Sequence, residues 1–426
     1  MILILHHQPD DRRLKYAADF LFEGFSEAIE LTNQPEHWHA YAGHKFVYGP
    51  DGEGLFQSAV SVLWSSETVD YAILYGGASE GIPLMEHAED GPLDPLALTF
   101  WALSRIEEYQ RFSPDQHGRF TAKDTAVGEA YRRPWLDELR NRVQLELAHS
   151  FAGCHPRERN IHYELTIDVD AAFAYRHKPI WRTIGAFTRD VIRFRFADFA
   201  NRWKVLFHSN ERDPYDTYLD IQQRSAGWER KWFFLLGHRS DGDLNIHHRS
   251  QGLHRCIQSL GKSDEIGIHP GYGTYLSYPK YHEQVERLEV ILGHAPFAAR
   301  QHYLRFKLPD TYRIAVQCGI QREYSMGFAD DVGFRAGTSH TFYWFDVERN
   351  ELTDLQIVPF CAMDATLRFH LQLNVEAAIQ TLDELHQRVA SEGGRFSVLW
   401  HNESTSEHGL WKGWKVVFQA LMAFKR

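Results

Sequence analysis

From about residue 160 to the C-terminus one arrangement recurs. A short apolar, β-rich run ends in a polar or titratable residue, and a helix-length stretch with one apolar face lies beside it. Residues 163–167 run into Asp168-Val169-Asp170, residues 232–236 into Gly237-His238, residues 265–268 into His269-Pro270-Gly271, and residues 396–400 into His401-Asn402. Val285, Leu288 and Leu292 recur at helical spacing, as do Val375, Ile379, Leu382, Leu385 and Val389. Strand and helix in alternation predict an α/β fold built on a parallel sheet. A parallel (β/α) barrel would gather the strand C-termini at one mouth. A doubly wound open sheet would alternate in the same way.

The first 155 residues have a different texture. Short apolar runs (Ile2–Leu5 and residues 71–75) mix with helical patterns. The clearest helix spans 95–109, with Leu96, Phe100, Leu103 and Ile106 on one face and Pro95 placed for the first turn. A second spans 135–148, and the Gly-Cys-His-Pro stretch at 153–156 reads as a boundary. The expected organisation is a smaller α/β domain over 1–155, followed by the repeating strand–helix domain over 160–426.

Charge and composition remove several functions. With 46 basic against 57 acidic residues, the formal net charge of -11 opposes binding to nucleic acid. Hydrophobic residues at 43% and charged residues at 24% are those of a globular chain with a core. The 14% aromatic content is high enough to provide platforms for sugar rings, although core packing accounts for most such side chains. Cys154, Cys256, Cys318 and Cys361 have no zinc-type spacing and read as reduced thiols. Ile2–Leu5 is too short for a signal peptide, and no later run reaches the roughly 18 apolar residues of a membrane span. A cytoplasmic location is the default expectation, and oligomeric state is left open.

The strand ends carry the chemistry. Asp168 and Asp170 are two residues apart, so a strand directs both to the same side. Two carboxylates held close repel, which favours a shared proton or a bound cation. One of them can hold a cation while the other serves as a base; an Asp-rich turn at a strand end is the plainer reading. His269 is placed as an imidazole ligand or as a structural histidine. Arg300-Gln301-His302-Tyr303 sets a guanidinium beside a further imidazole, and Asn402 and Glu403 follow His401 directly. His6-His7 and His247-His248 read as loop or surface residues.

Taken in order, Asp168-x-Asp170, Ile268-His269, Arg300-x-x-Tyr303 and Leu399-Trp400-His401 resemble the motif series of the polysaccharide deacetylases, carbohydrate esterase family 4 of the NodB-homology type. The resemblance covers about residues 160–426. It implies a distorted parallel (β/α) barrel and a divalent metal, usually zinc, with cobalt, nickel or manganese as alternatives. It also implies hydrolytic removal of acyl groups, N-acetyl above all, from a glycan or acylated sugar. Carried over by motif, Asp168 becomes the general base, Asp170 and His269 metal ligands, Arg300 the partner of the base, and His401 the general acid. Asp331 loosely matches an acidic fourth motif, and Tyr272 and Tyr303 become candidate substrate contacts. Residues 103–109 and 117–120 are similar to an uncharacterised domain that precedes some deacetylase-like domains.

The chain departs from the family in one paired way. Gly273 stands four residues after His269, where the family has its second histidine, and His302 stands where the family has proline. Either His302 supplies the third ligand from a neighbouring strand end, or it fills the proline's space and bonds to backbone. The first supports a metal-dependent deacetylase. The second supports a degenerate barrel that binds carbohydrate, or organises polysaccharide synthesis, without turnover. An amidohydrolase barrel would want a His-x-His strand end, which the sequence lacks.

Overall fold

The computed structural model describes residues 1–7, 10–49, 63, 73–74, 84–85, 94–110, 112–208, 210–239 and 242–425. In chain order its strands are β1 (Ile2–Leu5), β2 (Ile29–Thr32), β3 (His44–Val47), β4 (Ile73–Leu74), β5 (Leu84–Met85), β6 (His162–Val169) and β7 (Glu229–Leu235). They continue with β8 (Glu265–His269), β9 (Ala298–Ala299), β10 (Arg322–Glu323), β11 (Phe342–Asp346), β12 (Glu351–Ile357), β13 (Ala362–Met363) and β14 (Arg395–His401). Of the expected apolar run at 71–75, only Ile73 and Leu74 are among the described residues.

The chain forms two compact units. The first takes Met1–His162, Met326–Cys361 and Glu384–Phe396, and the second Tyr163–Ser325, Ala362–Asp383 and Ser397–Arg426. The N-terminal segment therefore does not make the first unit alone; two later stretches complete it.

In the first unit β1 is wholly buried between β2 and β3 in a parallel three-stranded sheet. The helix Pro95–Ser104 is buried along its whole length, as its near-continuous apolar sequence requires. Asp94 caps it by accepting from the Ala97 N–H at 2.9 Å. The helix ends earlier than its periodicity predicts, because Arg105 turns left-handed at φ 55. That turn brings its guanidinium onto Glu107 at 2.7 Å and Glu108 at 2.8 Å, and a short 3₁₀ segment, Ile106–Glu108, follows. The second expected helix is observed as Trp135–Ser150. His6 is buried and lies 3.8 Å from Asp11, which corrects its reading as a surface residue; His7, by contrast, is exposed.

The second unit is built on a mostly parallel sheet whose strand order includes β10-β9-β8-β7-β6-β14-β13. The pairings β6–β7, β7–β8, β8–β9, β9–β10 and β13–β14 are parallel. β6 and β7 are buried at nearly every position after their first two residues, as expected for strands covered on both faces. No pairing between β10 and β13 closes the run into a ring among the described residues. Gly267 on β8 lets its neighbours close in: a Cβ there would lie 2.5 Å from the Phe233 ring and 2.9 Å from the Ala298 carbonyl oxygen. Register then aligns the functional ends. Val169 pairs with Phe234, Leu235 with His269, and Ile268 with Ala299, so Asp170, His269 and Arg300 leave the sheet at one edge. Met363 pairs with Leu399, which brings Asp364 to the same edge beside His401.

Candidate active site

Asp170 is the residue around which the others gather. Its Oδ1 lies 3.2 Å from His269 Nε2 and its Oδ2 lies 3.3 Å from His302 Nε2. His401 Nε2 approaches the same Oδ2 at 3.8 Å. The ligand atoms of Asp170, His269 and His302 all fall within 4.8 Å of one another. Asp168, two residues earlier on the same side of β6, is buried with its Oδ2 3.5 Å from His269 Nε2.

The orientation of each imidazole is set from behind. His269 Nδ1 donates to the carbonyl oxygen of Arg300, which directs Nε2 at the carboxylates. His302 Nδ1 bonds to Asp243 Oδ1 at 2.7 Å, which turns Nε2 toward Asp170. His302 thus contacts a carboxylate behind it, where the plainer expectation had it filling space and bonding to backbone. Gly271 makes that contact feasible, since a Cβ there would lie 2.4 Å from Asp243 Oδ2. His401 Nδ1 bonds to Asp364 Oδ1 at 2.7 Å, and the other oxygen of Asp364 accepts from the His401 backbone N–H at 2.8 Å.

Arg300 is fully buried. Its Nη2 donates to Thr166 Oγ1 at 2.7 Å, its guanidinium lies 5.2 Å from the centre of the Phe233 ring, and its Nε stands 3.7 Å from Asp168 Oδ1. Tyr272 and Tyr303 meet edge to face with centroids 5.3 Å apart. Tyr303 packs beside His302 at 4.7 Å while 39% of its surface remains exposed. Asp331, the loose match to an acidic fourth motif, lies in the first unit, where Tyr131 donates to its carboxylate at 2.6 Å and Arg132 at 2.7 Å.

Electrostatics follow from these contacts. Burial pushes the Asp170 carboxyl up, but His302 and His269 outweigh it and hold the group well below the usual carboxylate range. Burial likewise raises Asp243, and the hydrogen bonds from His302 and the Tyr272 N–H bring it below its ordinary value. Burial lowers His302, yet Asp170 and Asp243 raise it to about 9. For His401, burial is outweighed by Asp364, Asp170 and Asp168, and the imidazole is raised to about 10.

Asp170 Oδ1 is buried and has no hydrogen bond, although an imidazole nitrogen stands 3.2 Å away. Asp170 with His269 Nε2 and His302 Nε2 is a donor set of one oxygen and two nitrogens, which suits a divalent cation such as zinc once the ion displaces the proton that Asp170 and Asp243 hold on His302. Position 273 is not needed for it, and a Cβ there would meet only Lys280 Nζ at 3.9 Å.

Asp243 and Asp364 were not anticipated from sequence. Asp364 ends a strand of two residues, too short to register as an apolar run, and Asp243 lies in a loop after β7. The available signal was the small one of an acidic residue closing Cys361-Ala362-Met363.

Residues 2–152 match the model of a family of unknown function, DUF7033. No curated protein matches the chain. Among solved structures the chain resembles the Puue allantoinase, with a TM-score of 0.39, 10% identity, and coverage of 62% of this chain and 84% of that one. It also resembles a polysaccharide deacetylase from Bacillus cereus, with a TM-score of 0.30, 9% identity, and coverage of 62% and 86%. A mutant CE4 family pseudoenzyme with restored enzymatic activity overlaps at a TM-score of 0.29 and 14% identity, covering 63% and 65%. The functional reading therefore rests on the geometry of the site.

Proposed function

We propose that the protein is a metal-dependent hydrolase that removes acyl groups, N-acetyl in particular, from a glycan. The observation that carries this reading is the convergence of Asp170, His269 and His302 beside an uncommitted buried carboxylate, Asp168, and a carboxylate-backed imidazole, His401. Asp170, His269 and His302 would hold the cation, with zinc the expected metal. When bound, such an ion supplies positive charge that polarises an acyl carbonyl and lowers the pKa of water.

The remaining chemistry belongs to the chain. Asp168 Oδ1, buried and without a hydrogen bond, accepts a proton from the attacking water. Arg300 Nε, 3.7 Å away, orients that carboxylate. His401, raised to about 10, is protonated at neutral pH and gives its Nε2 proton to the departing amine, while Asp364 steadies the imidazolium. Tyr303, partly exposed next to His302, and Tyr272 offer aromatic faces to a sugar ring. The motif order that resembles polysaccharide deacetylases supports the glycan as substrate class and a barrel-like closure of the parallel sheet.

The competing reading, a degenerate barrel that binds carbohydrate without turnover, drew its support from Gly273. The ligand set with His302 bypasses that position. The test is acetate release from N-acetylated chito-oligosaccharides by the zinc-loaded full chain, with and without chelator. Release that stops on chelation is expected. Zinc-loaded protein that binds the oligosaccharide but releases no acetate overturns hydrolysis in favour of binding.

A further inference from the structure

Between β6 and β7 the second unit carries two helices, Ile180–Ile192 and Phe196–Phe207, whose outer surface is unusual for this chain. Nine of the twenty-four exposed large apolar side chains among the described residues lie between positions 180 and 207. They run from Ile180 (77%) and Trp181 (66%) along the first helix to a tip where Ile192 is 69%, Phe194 79% and Phe196 63% exposed. The inner surface is packed, so the exposure does not come from a loose hairpin. Phe187 meets Phe199 at 4.8 Å, and Arg202 pairs with the buried Asp190 at 3.0 Å while stacking over Tyr175 at 4.5 Å.

Charge on this hairpin runs against the rest of the molecule. Positions 180–207 hold six basic residues against two acidic ones, in a chain of net charge -11. Arg193 and Arg195 alternate with the tip aromatics in Ile192-Arg193-Phe194-Arg195-Phe196. Beside the first helix, away from that tip, lies a cavity of about 430 Å³ lined by Lys178, Trp181, Arg182, Arg189, Arg202 and Arg239, among others. Arg182, Arg189 and Arg239 have no ion pair among the described residues. Burial and the cations Arg182, Arg202 and Arg239 lower Lys178 to about 8, with Asp213 opposing, as expected where positive charges crowd without neutralisation.

We infer that this hairpin docks the protein on an anionic phospholipid bilayer, its aromatic tip entering the headgroup region and its cationic cavity receiving a lipid phosphate. An amphipathic helix with aromatic and aliphatic residues on one face and arginines flanking them is the kind of element that lies in a membrane interface. Negative lipid headgroups complement the local charge, and long arginine side chains can bury their stems while their heads stay at phosphate level. A second copy fits less well, because a two-fold contact would set this positive face against itself. The proposal does not depend on the hydrolase reading.

The test is co-sedimentation of the full chain with phosphatidylcholine vesicles, with and without phosphatidylglycerol, at low and high salt. Binding to the anionic vesicles should exceed that to neutral ones by more than about tenfold and weaken as salt rises. Phe194→Ser with Phe196→Ser should abolish it, and Arg193→Glu with Arg195→Glu should do the same; these exposed positions leave the circular dichroism spectrum unchanged. Equal binding to both vesicle types, or none at low salt, overturns the proposal. So does a solution oligomer that the Phe194/Phe196 variant dissociates, or inorganic phosphate bound by a chain that ignores vesicles.

Discussion

In the first unit Glu107, Glu108 and Asp137 are buried with their oxygens taken. Glu108 receives Arg335 at 2.6 and 2.8 Å and Arg105 at 2.8 Å. Glu107 receives Arg105 and the Ala126 N–H, and Asp137 receives Thr338 and both donors of Ser339. In the second unit Asp168 and Asp170 are as deeply involved with cations, yet each keeps one buried oxygen with no hydrogen bond. The contrast separates charge that holds a fold from charge kept ready for a ligand. A saturated carboxylate has no lone pair left to bind a metal or take a proton, whereas an unsaturated one is costly unless something else occupies it. Burial and charge alone do not distinguish the two; at Asp168 and Asp170 the carboxylates with open oxygens also lie beside His269 and His302.

Removing the open oxygens should affect turnover, and the largest effect is expected at Asp168. Asp168→Asn should lower the rate of deacylation by about 10²–10⁴-fold, the usual worth of a general base. Its metal content and melting temperature should stay close to those of the parent. Activity equal to the parent's on a substrate the parent hydrolyses would remove Asp168 from the mechanism.

The matching change in the first unit should do the reverse. Glu108→Gln removes the buried anion that Arg335 and Arg105 share, leaving Arg105 with Glu107, and breaking such a pair costs about 3–5 kcal/mol. Denaturant unfolding should show that loss while metal stoichiometry holds. A stable Glu108→Gln protein would mean that the saturated cluster does not hold the fold.

The strand-end half of this division was visible in the sequence, for a physical reason. A long buried strand that ends in a titratable residue advertises itself through a hydropathy break, and Asp168, Asp170, His269 and His401 all sit at such breaks. Arg300 and His302 came from motif order instead, since β9 is only two residues long. Asp243 and Asp364 were hidden because their role comes from register and loop path rather than from local pattern. The early stop of the helix at Arg105 was hidden as well: periodicity continues through Ile106, and only the pull of Glu107 and Glu108 on the guanidinium favours the left-handed turn.

Asp243→Asn sharpens the comparison at a residue that touches no substrate. Without the carboxylate behind it, His302 loses basicity and orientation, and metal affinity should fall about 10–100-fold. Competition titration against a chelator measures this directly. Unchanged affinity would place His302 outside the ligand set.

The smallest effect concerns pH. Burial pushes Glu108 up, but Arg335 and Arg105 outweigh it, so its folded pKa lies below the usual 4.5. Its contribution to stability is therefore complete above about 4.5 and is lost as pH falls through the lower folded value. Glu107, which burial raises, acts in the opposite sense and makes the slope shallow. Unfolding free energy should decline gently below pH 4.5 in the parent, and less in Glu108→Gln; identical acid limbs would contradict the assignment.

The most direct measurement is metal affinity in three proteins: the parent, His302→Ala, and His302→Ala with Gly273→His. One divalent ion per parent chain is expected, with a large loss of affinity in the first variant and partial recovery when an imidazole is restored at position 273. Binding as tight in His302→Ala as in the parent would contradict the three-ligand centre on which the proposed chemistry depends.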